Sequence, residues 1–188
     1  MARQKEFDQE VVLDQAVEVF REHGYEGTSA QMLVDAMQIG RQSLYDTFGD
    51  KWALYRAACS RYGQLELAAH LEALRSGERA IEGIEAFLER VASEATRGCL
   101  GVSSIVEFGS CRQELAEVSA ALDRPLRNAI IQRIEAAQSE GDIASDLDTD
   151  QLATFLITSL FGLRIAGRGG ASREQLEANW RMTMRALR

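Results

Sequence analysis

Between Gly24 and Tyr55 the chain reads GYEGTSAQMLVDAMQIGRQSLYDTFGDKWALY, which leaves room for little but short helices around tight turns. Thr28-Ser29-Ala30-Gln31 fits a capping box, a hydroxyl at the N-cap with Gln three residues on. Leu33, Ala36 and Met37 then supply one apolar side. A connection through Gln38 and Ile39 leads to a third helix near Gly40 to Phe48, with Leu44 and Phe48 one turn apart and facing inward. Arg41, Gln42, Ser43 and Tyr45 are left outward or at the N-terminal edge, a set of donors that suits a DNA major groove. Gly49 ends the segment and Asp50 is a good N-cap for a fourth helix.

The flanking sequence continues the helical pattern. Val12, Leu13, Ala16, Val17, Val19 and Phe20 give a first helix from about Asp8 to His23, stopped by Gly24. The fourth helix carries Trp52, Leu54, Tyr55, Ala58 and Tyr62 and runs on to about Leu74, before a break at Ser76-Gly77. Ile81, Ile84, Phe87, Leu88 and Val91 mark the next, ending near Arg97-Gly98. Cys99 to Phe108 is short and very apolar and closes at Gly109. A long pattern from about Gln113 to Glu140 contains the chain's one proline, Pro125, which predicts a kink or restart near Asp123. Asp148 to Asp150 caps a helix that is apolar nearly all round, and a last helix from about Arg173 carries Leu176, Trp180, Met184 and Leu187. The expected class is all-α. Residues 1–50 are expected to form a helix-turn-helix DNA-binding domain, 51–75 a connecting helix, and 76–188 a further helical domain.

Charge qualifies the DNA reading. The net charge is −8, and up to Tyr62 seven basic residues face ten acidic ones. Binding then relies on a few placed cations, backbone N–H groups and helix N-termini rather than a broad positive field. Arg3 and Lys5 lie on an N-terminal arm that either reaches DNA or is a solvated tail. No apolar run is long enough for a membrane span and the N-terminus lacks a signal-peptide core, so a cytoplasmic protein is expected. Cys59, Cys99 and Cys111 are too few and too irregular for a disulfide framework.

Phe20, Gly24, Tyr25, Thr28, Ser29, then Ile39, Arg41, Ser43, Leu44, Tyr45, Phe48, then Lys51 and Leu54 follow the spacing of a known motif. This stretch resembles the DNA-binding module of the TetR family of bacterial transcription regulators. The remainder matches that family in layout alone, which implies that 76–188 is a helical ligand-binding and dimerisation domain. The resemblance implies phosphate contacts for Thr28, Ser29, Tyr45 and Lys51, and base-edge contacts for Arg41, Gln42 and Ser43. Two positions depart from the family pattern. Gln38 stands where the turn glycine is usual, at a cost of roughly 1 kcal/mol if φ stays positive. Gly40 replaces a serine N-cap.

A regulator of this kind needs a pocket for a small-molecule effector. The stretch from Cys99 to Cys111 is the best local candidate, with Cys99, Ser103, Glu107, Phe108 and Cys111 as ligand-binding residues. Ser103 and Ser104 bonding back to helix carbonyls is an equal alternative. Cys111 beside Arg112 also allows a thiol sensor of oxidants or electrophiles in the same scaffold. A two-fold homodimer is expected through the last two helices, with Leu152, Phe155, Leu156, Ser159, Leu163, Trp180 and Met184 in the seam. Two recognition helices would then meet a palindromic double-stranded operator, most simply as a repressor. His23 and His70 have no evident partners, and no spacing fits a metal set or a nucleophile-base pair. Neither an enzyme nor a cofactor is expected.

Overall fold

The computed structural model describes residues 7–109 and 111–188, so Arg3 and Lys5 of the arm lie outside the described residues. Within these, every regular element is a helix. The order is α1 (Gln9–His23), α2 (Ala30–Met37), α3 (Arg41–Phe48), α4 (Lys51–Arg75), α5 (Ala80–Glu94), a 3₁₀ turn (Ala95–Arg97), α6 (Leu100–Phe108), α7 (Gln113–Ser139), α8 (Thr149–Arg168) and α9 (Arg173–Arg185).

Side-chain caps set most of the starts. Asp8 accepts from the Glu10 N–H at 2.9 Å, Asp50 from Ala53 at 2.7 Å and Asp148 from Gln151 at 2.8 Å. At α2 the cap is shifted by one residue from the sequence expectation. Ser29, not Thr28, accepts from the Met32 N–H at 3.2 Å. Thr28 is buried and its hydroxyl donates to the Gly24 carbonyl.

The chain packs around two apolar clusters. The front one gathers Val12, Val17 and Phe20 of α1, Leu33, Met37, Ile39 and Leu44 of α2–α3, and Leu54, Tyr55, Ala58 and Tyr62 of α4. Leu100 of α6 and Leu115 of α7 join it, so the front is keyed into the rear. The rear cluster holds Leu74, Ile84, Phe87, Leu88 and Val91 with Ile130, Ile134, Leu156, Leu163 and Trp180. Helix α4 contributes to both, through Leu54, Tyr55, Ala58 and Tyr62 at the front and Leu74 at the rear. Gly167 lets α8 lie against the 3₁₀ turn, because a Cβ there would sit 2.6 Å from the Ala95 backbone.

The expected restart at Pro125 does not occur. Helix α7 is continuous from Gln113 to Ser139 with Pro125 inside it. Packing supplies the compensation: Leu115, Ile130, Ile134 and Ala137 are buried along its length, against α4, α5 and α8.

Candidate DNA-binding face and effector cavity

Helix α3 has Leu44 inside and Arg41, Gln42 and Ser43 exposed, as the helical period requires. Gly40 gives no side-chain cap, so the N–H groups of the first turn stay available at the positive end of the helix. Gln42 is held on the surface by a 2.8 Å bond from Nε2 to Asp46 Oδ1. Ser29 is exposed at the α2 N-cap, and its hydroxyl hydrogen remains to be given away. Lys51 Nζ lies 4.3 Å from the centre of the Tyr25 ring, so its charge is positioned beside α3. Tyr45 is half-buried against the front cluster. Thr28 does not belong with these exposed groups, since its side chain faces inward and its hydroxyl is used within the turn.

Gln38 adopts φ 52° and ψ 35°, the left-handed region, and is the one non-glycine residue with positive φ among the described residues. The tight turn between α2 and α3 is therefore kept in spite of the missing glycine. Burial of Met37 at 2% and Ile39 at 9% on either side explains why the turn does not relax.

A second feature lies between the two clusters. A cavity of about 150 Å³, partly open to solvent, is bordered by α4, α6, α7 and α8. Its walls are chiefly apolar, with Leu67, Leu115, Val118, Leu122, Leu126, Ile157 and Phe161 among them. The polar lining groups are Tyr62, Glu66 and His70 of α4, Ser104 of α6, and Ser119 and Asp123 of α7; the Tyr62 hydroxyl is buried without a hydrogen-bond partner among the described residues. Gly63 also borders it, where any Cβ would collide with Leu122.

The inner polar corner is a buried ion network. Glu66 accepts from Arg164 Nη2 at 2.6 Å and from Arg90 Nη2 at 2.9 Å. Burial pulls the Glu66 carboxyl up, but Arg90 and Arg164 override it and hold the group below the usual range. Arg164, with its side chain only 1% exposed, also donates to the Glu94 carbonyl at 3.0 Å. His70 lies 3.1 Å from Arg90 Nη1 through its Nδ1. A guanidinium can only donate, so Nδ1 accepts and the ring is neutral with its proton on Nε2. Burial first, then Arg90, lowers the His70 pKa to about 4.

The stretch that the sequence offers as pocket-lining meets this cavity only through one face of α6. Gly101, Ser104 and Ile105 of α6 line it; Cys99, Ser103, Glu107, Phe108 and Cys111 do not. Phe108 joins an aromatic box, with ring centres 5.3 Å from Trp52, 5.6 Å from Tyr25 and 5.8 Å from Tyr55. Glu107 accepts from the Tyr25 N–H at 2.9 Å, and from the Glu26 N–H at 3.4 Å, in the α1–α2 turn. Cys111 is exposed beyond α6, and its neighbour Arg112 lies over the Trp52 ring at 4.8 Å. Cys59 does border the cavity, but burial pushes its thiol up to about 12. Glu66, His70, Ser119 and Asp123 were missed. The signal that could have found them is the stripe Leu115, Val118, Ser119, Leu122 and Leu126 at helical spacing, facing Glu66 and His70 one turn apart on α4.

Two further bonds tie the C-terminal end of α1 to the rear half. Arg168 of α8 donates to the Glu22 carbonyl at 2.9 Å, and Arg21 donates to the Gly98 carbonyl at 3.2 Å. Cations at a helix C-terminus are favoured by its free carbonyls. Together with Glu107 they fasten the DNA-facing module to α6 and α8.

The seam residues divide. Leu152, Leu156, Leu163, Trp180 and Met184 are buried in the chain's own core, because α8 and α9 first have to cover α5. The outer surface instead carries Phe155, Ile165 and Met182, which are 41%, 56% and 61% exposed, with Ser159 half-buried and Gly162 in open space. Among the described residues no helix is long and apolar enough to cross a membrane.

Comparisons with known proteins agree with this geometry. The profile described as bacterial regulatory proteins, tetR family, matches residues 12–58. The profile described as tetracyclin repressor-like, C-terminal domain, matches residues 78–183. The chain is 34% identical over 183 residues to the uncharacterized HTH-type transcriptional regulator YezE of Bacillus subtilis (strain 168), covering 94% of each protein. It is 32% identical over 184 residues to the HTH-type transcriptional repressor ComR of Escherichia coli (strain K12), covering 93% of this chain and 86% of that one. Among solved structures, a cysteine mutant of the TetR family regulator CifR, complexed with 26-bp double-strand operator DNA, superposes with a TM-score of 0.82. The identity there is 32%, and 99% of this chain and 100% of that chain are covered.

Proposed function

We propose that this chain, which belongs to the tetR family of bacterial regulatory proteins, is a homodimeric transcriptional repressor that lets go of a palindromic operator when a small molecule fills the cavity. The observation that carries the reading is the join between cavity and DNA face. One face of α6 lines the cavity through Gly101, Ser104 and Ile105, while the C-terminal end of the same short helix holds the α1–α2 turn through Glu107 and Phe108.

In this reading Arg41, Gln42 and Ser43 address base edges, and Ser29, Tyr45 and Lys51 address phosphates. The dimer forms through Phe155, Ser159, Gly162 and Ile165 of α8 with Met182 of α9, on top of the core side chains beneath them. Regulation then needs no large motion. An occupant of the cavity favours an α6 position that carries Glu107 away from the Tyr25 and Glu26 N–H groups. Both α1–α3 modules tilt as a result, and their α3 helices no longer match the half-site spacing. Residues 1–50 act as the DNA-reading unit, 51–75 as the link, and 76–188 as the sensing and pairing unit.

The test is operator binding by the full chain, followed by fluorescence anisotropy on DNA flanking its own gene. The expected result is two chains on one palindromic footprint, with affinity falling steeply as salt rises. A monomer at micromolar concentration in light scattering, or an absence of binding to that DNA at low salt, overturns the proposal.

A further inference from the structure

The charged groups that border the cavity are both carboxylates, Glu66 and Asp123, and no lysine or arginine lines it among the described residues. Glu66 is already matched by Arg90 and Arg164, which reach it from outside the cavity wall. His70 adds no positive charge, because its Nδ1 is committed as an acceptor for Arg90.

Asp123 is different. It sits on the exposed side of α7 where the wall meets solvent, and no hydrogen bond or ion pair reaches its carboxylate among the described residues. The residue one turn on, which would normally pair with it, is Arg127. That guanidinium is turned to α8, donating to Asp150 Oδ1 at 3.0 Å, the Asp150 carbonyl at 3.2 Å and Thr154 Oγ1 at 3.1 Å. Burial raises the Asp123 pKa, and no partner among the described residues offsets its partial loss of water.

We infer that the effector is a compact apolar amine, its ammonium held by Asp123 at the mouth and its hydrocarbon body in the cavity. The inference rests on the reading of this cavity as the effector site, and deepens it by naming the chemical class. The volume, about 150 Å³, is that of an apolar void known to take one benzene ring. An anion of the same size meets the unpaired Asp123 carboxylate and no cation in the lining, since Arg90 and Arg164 are both engaged by Glu66 behind the wall. A neutral isostere gains the apolar contacts but leaves Asp123 as it is.

The probes are benzylamine, benzyl alcohol and benzoate, titrated calorimetrically into the full-length protein without DNA. Benzylamine is expected to bind about tenfold more tightly than benzyl alcohol, a difference of about 1.4 kcal/mol. Benzoate is expected not to bind. Asp123→Asn, checked by circular dichroism for intact helix content, is expected to bring the amine down to the alcohol's affinity. Binding of benzoate at the amine's level, an amine preference that survives Asp123→Asn, or no binding of any probe overturns the inference. These outcomes are independent of the operator test. Binding of the amine without release of operator DNA sinks the regulatory reading and keeps the ligand class.

Discussion

The front and rear halves of this molecule use charge in opposite ways. On the DNA face the polar groups are exposed and lightly held: Arg41 and Ser43 have no partner among the described residues, and Gln42 has one local bond to Asp46. In the rear, Glu66, His70, Arg90 and Arg164 are interlocked across α4, α5 and α8, and Arg164 is almost without exposure. Groups that meet an outside partner have to remain unspent. A network that fixes the shape of a cavity has to be satisfied internally, since a buried charge left alone is costly.

The sharpest way to break this contrast is at its buried end. Glu66→Ala leaves two guanidiniums in the interior without their carboxylate and is expected to cost about 3–5 kcal/mol of stability, measured by urea unfolding. A loss below about 1 kcal/mol would place the network with ordinary surface ion pairs and erase the distinction between the halves.

Acid exposes the same difference. The folded-state pKa of His70 is lowered from 6.5 to about 4. Between these values the unfolded chain binds a proton that the native state does not. Stability from this group is therefore complete above pH 6.5 and lost as pH falls toward 4, with a slope on the order of 1 kcal/mol per pH unit. The Glu66 carboxyl, held low by Arg90 and Arg164, adds its own loss below its ordinary range. His70→Gln, which keeps an acceptor for Arg90 but does not titrate, should flatten the denaturation midpoint across that window. An unchanged slope in this variant would remove His70 from the account.

At the front the prediction reverses: function changes and stability does not. Arg41→Ala is expected to weaken operator binding by about 1–3 kcal/mol in anisotropy titrations, with an unchanged urea midpoint. A shift in the midpoint would mean that Arg41 holds the fold as the rear arginines do. The smallest effect is at the turn. Gln38→Gly relieves a positive φ and should raise stability by up to about 1 kcal/mol, with the DNA footprint unchanged. Loss of stability would show that the Gln38 side chain, rather than its backbone, fixes the pose of α3.

Legibility follows the same division. The elements of the front could be read residue by residue because caps, stops and the helical period act over three or four neighbours. Asp8, Gly24, Asp50 and Leu44 stand where that local chemistry places them. Thr28 was misread for an instructive reason: it and Ser29 are both competent N-caps, and only burial of one against the front cluster decides between them. Of the kink or restart expected at Pro125, the restart does not occur, because its local penalty is outweighed by packing along α7.

Short-range periodicity and capping suffice for the helical class, the order and approximate ends of the helices, and the exposed donors of α3. Which face of α6 borders the cavity, that Glu107 and Phe108 pack on the α1–α2 turn instead of lining a pocket, and that Leu156 and Trp180 serve the core beneath the proposed dimer face all emerge from how the helices pack together. Each of those outcomes depends on which helices meet across long stretches of chain, as Glu107 meets Tyr25, 82 positions away in the sequence. No local pattern encodes such a meeting; it is set by how the apolar stripes of all the helices are covered at once.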